Sequence, residues 1–138
     1  MIKSLLMQFL TWIIRNYFSK QQPEKGLSVR AAGKVEAVMQ YLDEHYAEPI
    51  SLEALAAAQK INRSYLCSIF RTMTAVTPME YLIRRRIGAA KQLLVETEEN
   101  VLTISEQCGF GSLSNFNHQF KALTGCSPRV YRNLKREG

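Results

Sequence analysis

From Gly33 onward the apolar positions recur with a helical period, and no alternating apolar run is long enough for a strand. Val35, Val38, Met39, Leu42 and Tyr46 form a first stripe, which ends at Pro49. Ser51 can cap a short helix that buries Leu52, Leu55 and Ala56, with Ala54, Ala57 and Ala58 allowing close approach. Asn62 caps the next helix, whose inward residues read as Tyr65, Leu66, Ile69 and Phe70. Thr77-Pro78 then opens a long helix, a hydroxyl cap followed by proline at the first helical position. Its stripe is Met79, Leu82, Ile83, Ile87, Ala90, Leu93 and Leu94, and it gives way to the polar stretch Glu96 to Asn100.

The same grammar then repeats. Asn100 caps a helix over Val101 to Cys108, Gly109 stops it, and Ser112 starts another that buries Phe116 and Phe120, with Leu113 or Asn115 partly covered. Ser127-Pro128 opens the last helix, with Val130, Tyr131 and Leu134 as its stripe. Ser64, Leu66, Phe70, Arg71, Met73, Thr74, Ala75, Thr77, Pro78 and Tyr81 each meet a residue of like kind fifty positions later, from Ser114 to Tyr131. Two copies are too few for a solenoid, which needs at least three stacked units. A short helix, a tight turn and a second helix make a helix-turn-helix unit. The expected fold is therefore all-α: two such subdomains over residues 34–138, joined by the long helix that starts at Thr77.

Residues 1–18 form a separate problem. Ile2, Leu5, Leu6, Phe9, Leu10, Ile13, Ile14, Tyr17 and Phe18 follow the rhythm of an amphipathic helix. Gln8, Thr11 and Arg15 interrupt it, and no small-residue cleavage site follows, which argues against a signal peptide. The stretch is too short and polar to span a bilayer. Docking on protein is favoured over a membrane surface, although Trp12 with Lys3, Arg15 and Lys20 would suit the latter. Residues 19–33, with Gln21-Gln22-Pro23 and Gly26, show no hydrophobic period and read as a linker.

Charge narrows the partner. Eighteen Lys and Arg against twelve acids give +6 and a pI near 9.4, which suits an anionic ligand. The three cysteines, Cys67, Cys108 and Cys126, are odd in number and lack Cys-x-x-Cys spacing, as free thiols in a reducing cytoplasm would be. The two histidines, His45 and His118, stand at no ligand spacing from a cysteine, so neither a metal nor another cofactor is expected. There is no Ser/His/acid order and no phosphate loop, since Gly109-Phe110-Gly111 is only a turn, and so no catalytic residues are expected.

A major groove accepts one helix, whose exposed N-terminal residues reach base edges while neighbours touch phosphate. Off the apolar stripe, the helix after Asn62 carries Arg63, Ser64, Cys67, Ser68 and Arg71. The helix after Ser112 carries Ser114, Asn117, His118 and Lys121. Asparagine can pair bidentately with adenine and serine with several bases, and His118 can meet an acceptor on guanine. The alternative is a helical protein-interaction module without DNA binding, which would call for apolar residues at these outward positions. Of the triple Arg84-Arg85-Arg86, Arg86 is expected to pair within the protein.

The stretch GFGSLSNFNHQFKALTGCSPRVYR, Gly109 to Arg132, resembles the signature of the AraC/XylS family of bacterial transcription regulators, G-F-x-S-x-S-x-F-x-R-x-F-K-x-x-x-G-x-S-P-x-x-Y-R. The main departure is His118, where arginine is usual. The resemblance continues upstream through YLIRRRIGAAKQLL and LEALAAAQKINRSYLCSIFR, covering roughly Val35 to Leu134. It implies two helix-turn-helix subdomains that grip adjacent major grooves of double-stranded DNA. Carried over, the base-reading positions are Ser64, Cys67 and Ser68 in the first copy and Leu113, Ser114, Asn117 and His118 in the second. Arg63, Arg71 and Lys121 become phosphate contacts. The resemblance also implies an activator that touches RNA polymerase, in the bacterial cytoplasm at the nucleoid. Residues 1–18 then look like the last helix of an effector or dimerisation domain, giving a homodimer, and the chain like a fragment of a larger regulator, with a stand-alone two-unit regulator as the alternative. Lys60 stands in the first turn where the family usually has glycine, and a left-handed lysine there would carry some energetic cost.

Overall fold

Four side chains start four of the helices. Ser51 Oγ accepts from the Ala54 N–H at 3.1 Å, Asn62 Oδ1 from Tyr65 at 2.7 Å, Asn100 Oδ1 from Thr103 at 2.7 Å and Ser112 Oγ from Asn115 at 3.1 Å. Each satisfies an amide that the first turn leaves without a helical partner. The structure, a computed structural model, describes residues 7, 8, 10, 11 and 25–137, with the side chains of 25–28 left aside. Residues 7, 8, 10 and 11 are helical, and the rest of the amphipathic stretch expected over 1–18 lies outside the described residues. From residue 25 the chain forms α1 (Lys25–His45), α2 (Leu52–Ala58), α3 (Arg63–Thr74), α4 (Pro78–Glu96), α5 (Val101–Gln107), α6 (Leu113–Thr124) and α7 (Pro128–Glu137). The fold is all-α, with no strand among the described residues.

Two compact units emerge, one from Met1–Gln40 with Ser51–Pro78, the other from Tyr41–Ile50 with Met79–Gly138. The first buries Ala31, Val35 and Val38 of α1, Leu55 and Ala56 of α2, and Leu66 and Phe70 of α3. In the second, Ile87, Ala90 and Leu94 of α4 pack with Ile104, Cys108, Phe110, Phe116 and Phe120. A file of aromatic rings runs through that core. Phe110 lies 5.0 Å from Phe116, Phe116 lies 5.7 Å from Phe120, and Tyr131 meets Phe120 edge-on at 5.4 Å.

Backbone detail shows how close the two copies are. Thr74 Oγ1 donates to the carbonyl of Phe70 at 2.7 Å and lies 3.0 Å from that of Val76, while Thr124 Oγ1 stands in the same relation to Phe120 and Cys126 at 2.7 and 3.0 Å. Both second helices end on a left-handed residue, Ala75 at φ 69° and Gly125 at φ 86°. The first helices end alike: the Ile61 amide donates to Ala56 at 3.1 Å and the Phe110 amide to Ser105 at 3.0 Å. That second pair is offset by forty-nine positions rather than fifty, so the second turn holds one extra residue, and the matched bonds identify it as Gly111.

Lys60 does adopt the left-handed conformation, at φ 58°, opposite Gly109 at φ 93° in the second copy. Only the second position also lacks room, since a Cβ on Gly109 would sit 2.8 Å from the Tyr46 carbonyl oxygen. Lysine is thus sterically admitted at the first turn, with backbone strain alone to bear.

Three expectations need correction. The helix expected from Gly33 begins at Lys25, so residues 25–33 of the expected linker are helical. Ala31 is buried four residues before Val35 and extends the stripe backwards with too small a side chain to announce it. Tyr65, Val130 and Leu134, expected inward, are exposed, Leu134 by 60%. In α7 the covered positions are Pro128, Tyr131 and Arg132, one step around the helix from the leucine. Ala54, Ala57 and Ala58 are also exposed, because so short a helix covers only the Leu55–Ala56 edge.

Phe70→Ala and Phe120→Ala should each destabilise by roughly 3–5 kcal/mol, read from denaturant or thermal unfolding; shifts of a degree or two would break the equivalence of the copies. Lys60→Gly should work the other way and stabilise by about 1 kcal/mol, by removing the left-handed strain of a residue with a Cβ. An unchanged or lowered melting temperature would show the strain is compensated elsewhere.

Candidate nucleic-acid interface

Burying Leu66 and Phe70 turns the opposite side of α3 outward by helical geometry alone. Ser64, Ser68 and Arg71 are exposed there and Cys67 is half-buried. Together with Thr72 and Thr77 they line a surface groove within the first unit. On α6 the buried pair is Phe116 and Phe120, and Leu113, Ser114, Asn117, His118 and Lys121 are all exposed. Every residue expected to face a ligand therefore lies off the buried stripe of its helix. Neither helix contains an acid, although the chain has twelve.

Arg63 differs from the expectation in one respect. Its Nη1 donates to Glu53 Oε1 at 2.8 Å, so this cation is already partnered across the turn. The Glu53 carboxyl is held below the usual carboxylate range by a hydrogen bond from its own backbone and then by Arg63. Both side chains are well exposed, and a pair of this kind contributes little to stability.

Other cations are held within the second unit. Arg86 Nε donates to the Tyr46 carbonyl at 2.7 Å and its Nη2 to that of Glu48 at 2.9 Å, so the arginine ties down carbonyls beyond the end of α1. Arg132 does the same at the end of α4, reaching Leu94 in its last turn at 2.9 Å and Glu99 beyond it at 2.6 Å. Arg136 adds the Thr97 carbonyl at 2.7 Å and an ion pair with Glu98 at 2.9 Å. Arg85 lies 3.6 Å from Asp43 and stacks over the Tyr46 ring. Tyr81 donates to Asp43 at 2.8 Å; burial raises the Asp43 carboxyl, against the pull of that bond and of Arg85. The internal pairing expected for Arg86 is what the structure has.

Burial pushes the Cys108 thiol up to about 11, which removes its nucleophilic thiolate at neutral pH. Among the described residues no cluster of His, Cys, Asp or Glu could hold a metal ion, and no helix is long and apolar enough to cross a membrane. Sequence reading missed Thr72 and Thr77 as groove residues. Ser64, Ser68 and Thr72 recur every four positions, so the hydroxyl row was there to be seen, but Thr77 showed only as a helix cap.

A family described as a helix-turn-helix domain matches residues 55–134. The probable transcriptional regulator LumQ of Photobacterium leiognathi is 32% identical over 92 residues, 67% of this chain and 37% of its own length. The transcriptional activator RhaS of Enterobacter sp. strain 638 is 33% identical over 99 residues, 72% of this chain and 36% of its own. The chain thus spans under two-fifths of each of these two relatives. Among solved structures, the DNA-binding domain of the global transcriptional factor AdpA, in complex with a target DNA, superposes with a TM-score of 0.71. It is 30% identical, over 75% of this chain and 93% of that one.

Proposed function

We propose, from the premise that the chain belongs to the AraC-type helix-turn-helix family of DNA-binding transcription regulators, that it reads two successive major grooves of one duplex with α3 and α6. The observation that carries this reading is the pair of acid-free, outward-facing helices, each rotated by a buried aromatic so that hydroxyl, amide and basic side chains point away from the core. Ser64, Cys67 and Ser68 of α3 and Leu113, Ser114, Asn117 and His118 of α6 meet base edges. Arg71 and Lys121 meet phosphate, and Arg63 does so only by leaving or sharing Glu53. The two faces differ, so the site is non-palindromic and roughly 20 bp long, with its halves about 10 bp apart. The first face is chemically quiet, and more of the sequence preference comes from α6 and from DNA shape.

The protein acts as an activator in the cytoplasm, at the nucleoid, and contacts RNA polymerase. The likeness to an activator such as RhaS supports this direction of control. Residues 1–18 provide self-association, because their apolar positions gain nothing from staying in water.

Selection from random duplexes followed by footprinting should give one asymmetric site protected over two turns; a single protected half-turn would contradict two-groove reading. Affinity should fall steeply with salt. His118→Ala should relax preference at one base position by about 1–3 kcal/mol, while Lys121→Ala weakens all sequences alike and lowers the salt slope by about one unit. Identical profiles for both substitutions would merge readers with anchors. Deleting residues 1–20 should leave DNA binding by a single chain intact and abolish the dimer in sedimentation; a surviving dimer places the interface elsewhere.

A further inference from the structure

The two copies differ most sharply at the leading edge of their outward helices. In the first copy that edge is the ion pair of Arg63, the opening residue of α3, with Glu53 of α2. The register set by the backbone bonds carries Glu53 forward forty-nine positions to Leu102 and Arg63 forward fifty to Leu113. A charged pair in one copy is replaced by two leucines in the other. Both leucines are uncovered, Leu102 being 49% exposed and Leu113 37%.

Single exposed leucines are ordinary. Here the two occupy the positions whose equivalents in the sister copy are joined, and Leu113 stands directly before Ser114 and one helical turn before Asn117 on the polar side of α6. An apolar protein surface would suit the leucines but would strand those side chains and Lys121 without partners. A polyanion with one apolar group in reach suits all of them. In the major groove that apolar group is the 5-methyl of thymine.

We propose that Leu113, with Leu102 at its flank, packs on a thymine methyl and makes the second unit select thymine at that step. The proposal rests on the DNA-reading assignment above. At the equivalent step the first unit offers a guanidinium shared with Glu53, which has donors and no apolar contact to give, so the two half-sites differ in their leading base.

The test uses the full chain and the duplex it selects from a random pool. Each thymine of that site is replaced singly by deoxyuridine, which keeps the hydrogen-bonding edge and removes only the methyl. At one thymine the loss should weaken the wild-type chain about fourfold, the effect of uncovering one methyl-sized group. The same replacement should leave the affinity of Leu113→Ala unchanged, with Leu102→Ala falling between. Both leucines are exposed, and unchanged thermal melts of the variants will show that folding is not at issue. If no thymine is methyl-sensitive, or if Leu113→Ala keeps the full sensitivity, the inference is overturned while DNA reading stands. If the wild-type chain selects no duplex at all, the DNA-reading assignment falls and takes this inference with it.

Discussion

One phenylalanine per copy sets the orientation of everything that faces outward. Phe70 and Phe120 have no exposed surface, and a helix with one residue pinned at the centre of a core has no rotational freedom left. Once they are placed, the positions six and two residues earlier and the next one on fall about 100° or more around the helix and face solvent. Those are Ser64, Ser68 and Arg71 in one helix and Ser114, His118 and Lys121 in the other, while Cys67 and Asn117, three residues earlier, flank the stripe, the first half-buried and the second exposed. The threonines that close each helix strengthen this placement, because their hydroxyls bond back to the phenylalanine carbonyls. Recognition chemistry is therefore positioned by apolar packing on the far side of the helix.

Much of this was legible in advance because caps, prolines and periodicity are local signals. Ser51, Asn62, Asn100 and Ser112 cap where the pattern put them, and Pro78 and Pro128 open their helices. The outward residues followed from the same period. What could not be read depends on a second element. Periodicity gives a stripe but not its partner, so Val130 and Leu134 looked buried although only Pro128, Tyr131 and Arg132 of α7 are even partly covered. The Arg63–Glu53 pair spans ten residues and a turn, and the grip of Arg132 on the carbonyls beyond α4 spans more than thirty. The early start of α1 was hidden by Gly26, Gly33 and the small Ala31.

The copies share a backbone but have diverged in how they tolerate it. The second meets its left-handed turn with Gly109, packed so closely against the Tyr46 carbonyl that no other residue fits. The first meets the same turn with Lys60 and accepts the strain. Strain of this kind persists where surrounding structure over-determines it. Here the matched amide bonds to Ala57 and Glu106 hold both turns in one conformation whatever the residue.

Gly111 carries a different kind of information. It is the one residue by which the second turn exceeds the first, and it falls between the last amide bond that closes the earlier helix and the cap that opens the next. A gene segment copied in tandem and then altered by a single codon would leave this mark. The gap lies between matched bonds on either side, so a residue added there unmakes none of them. A Cβ there would meet nothing within 4 Å, so the joint is open as well as unbonded. The two halves of each repeat are in that sense separately heritable parts, a first helix with its turn and a capped second helix with its threonine clasp, and their joint is where new spacings can be tried.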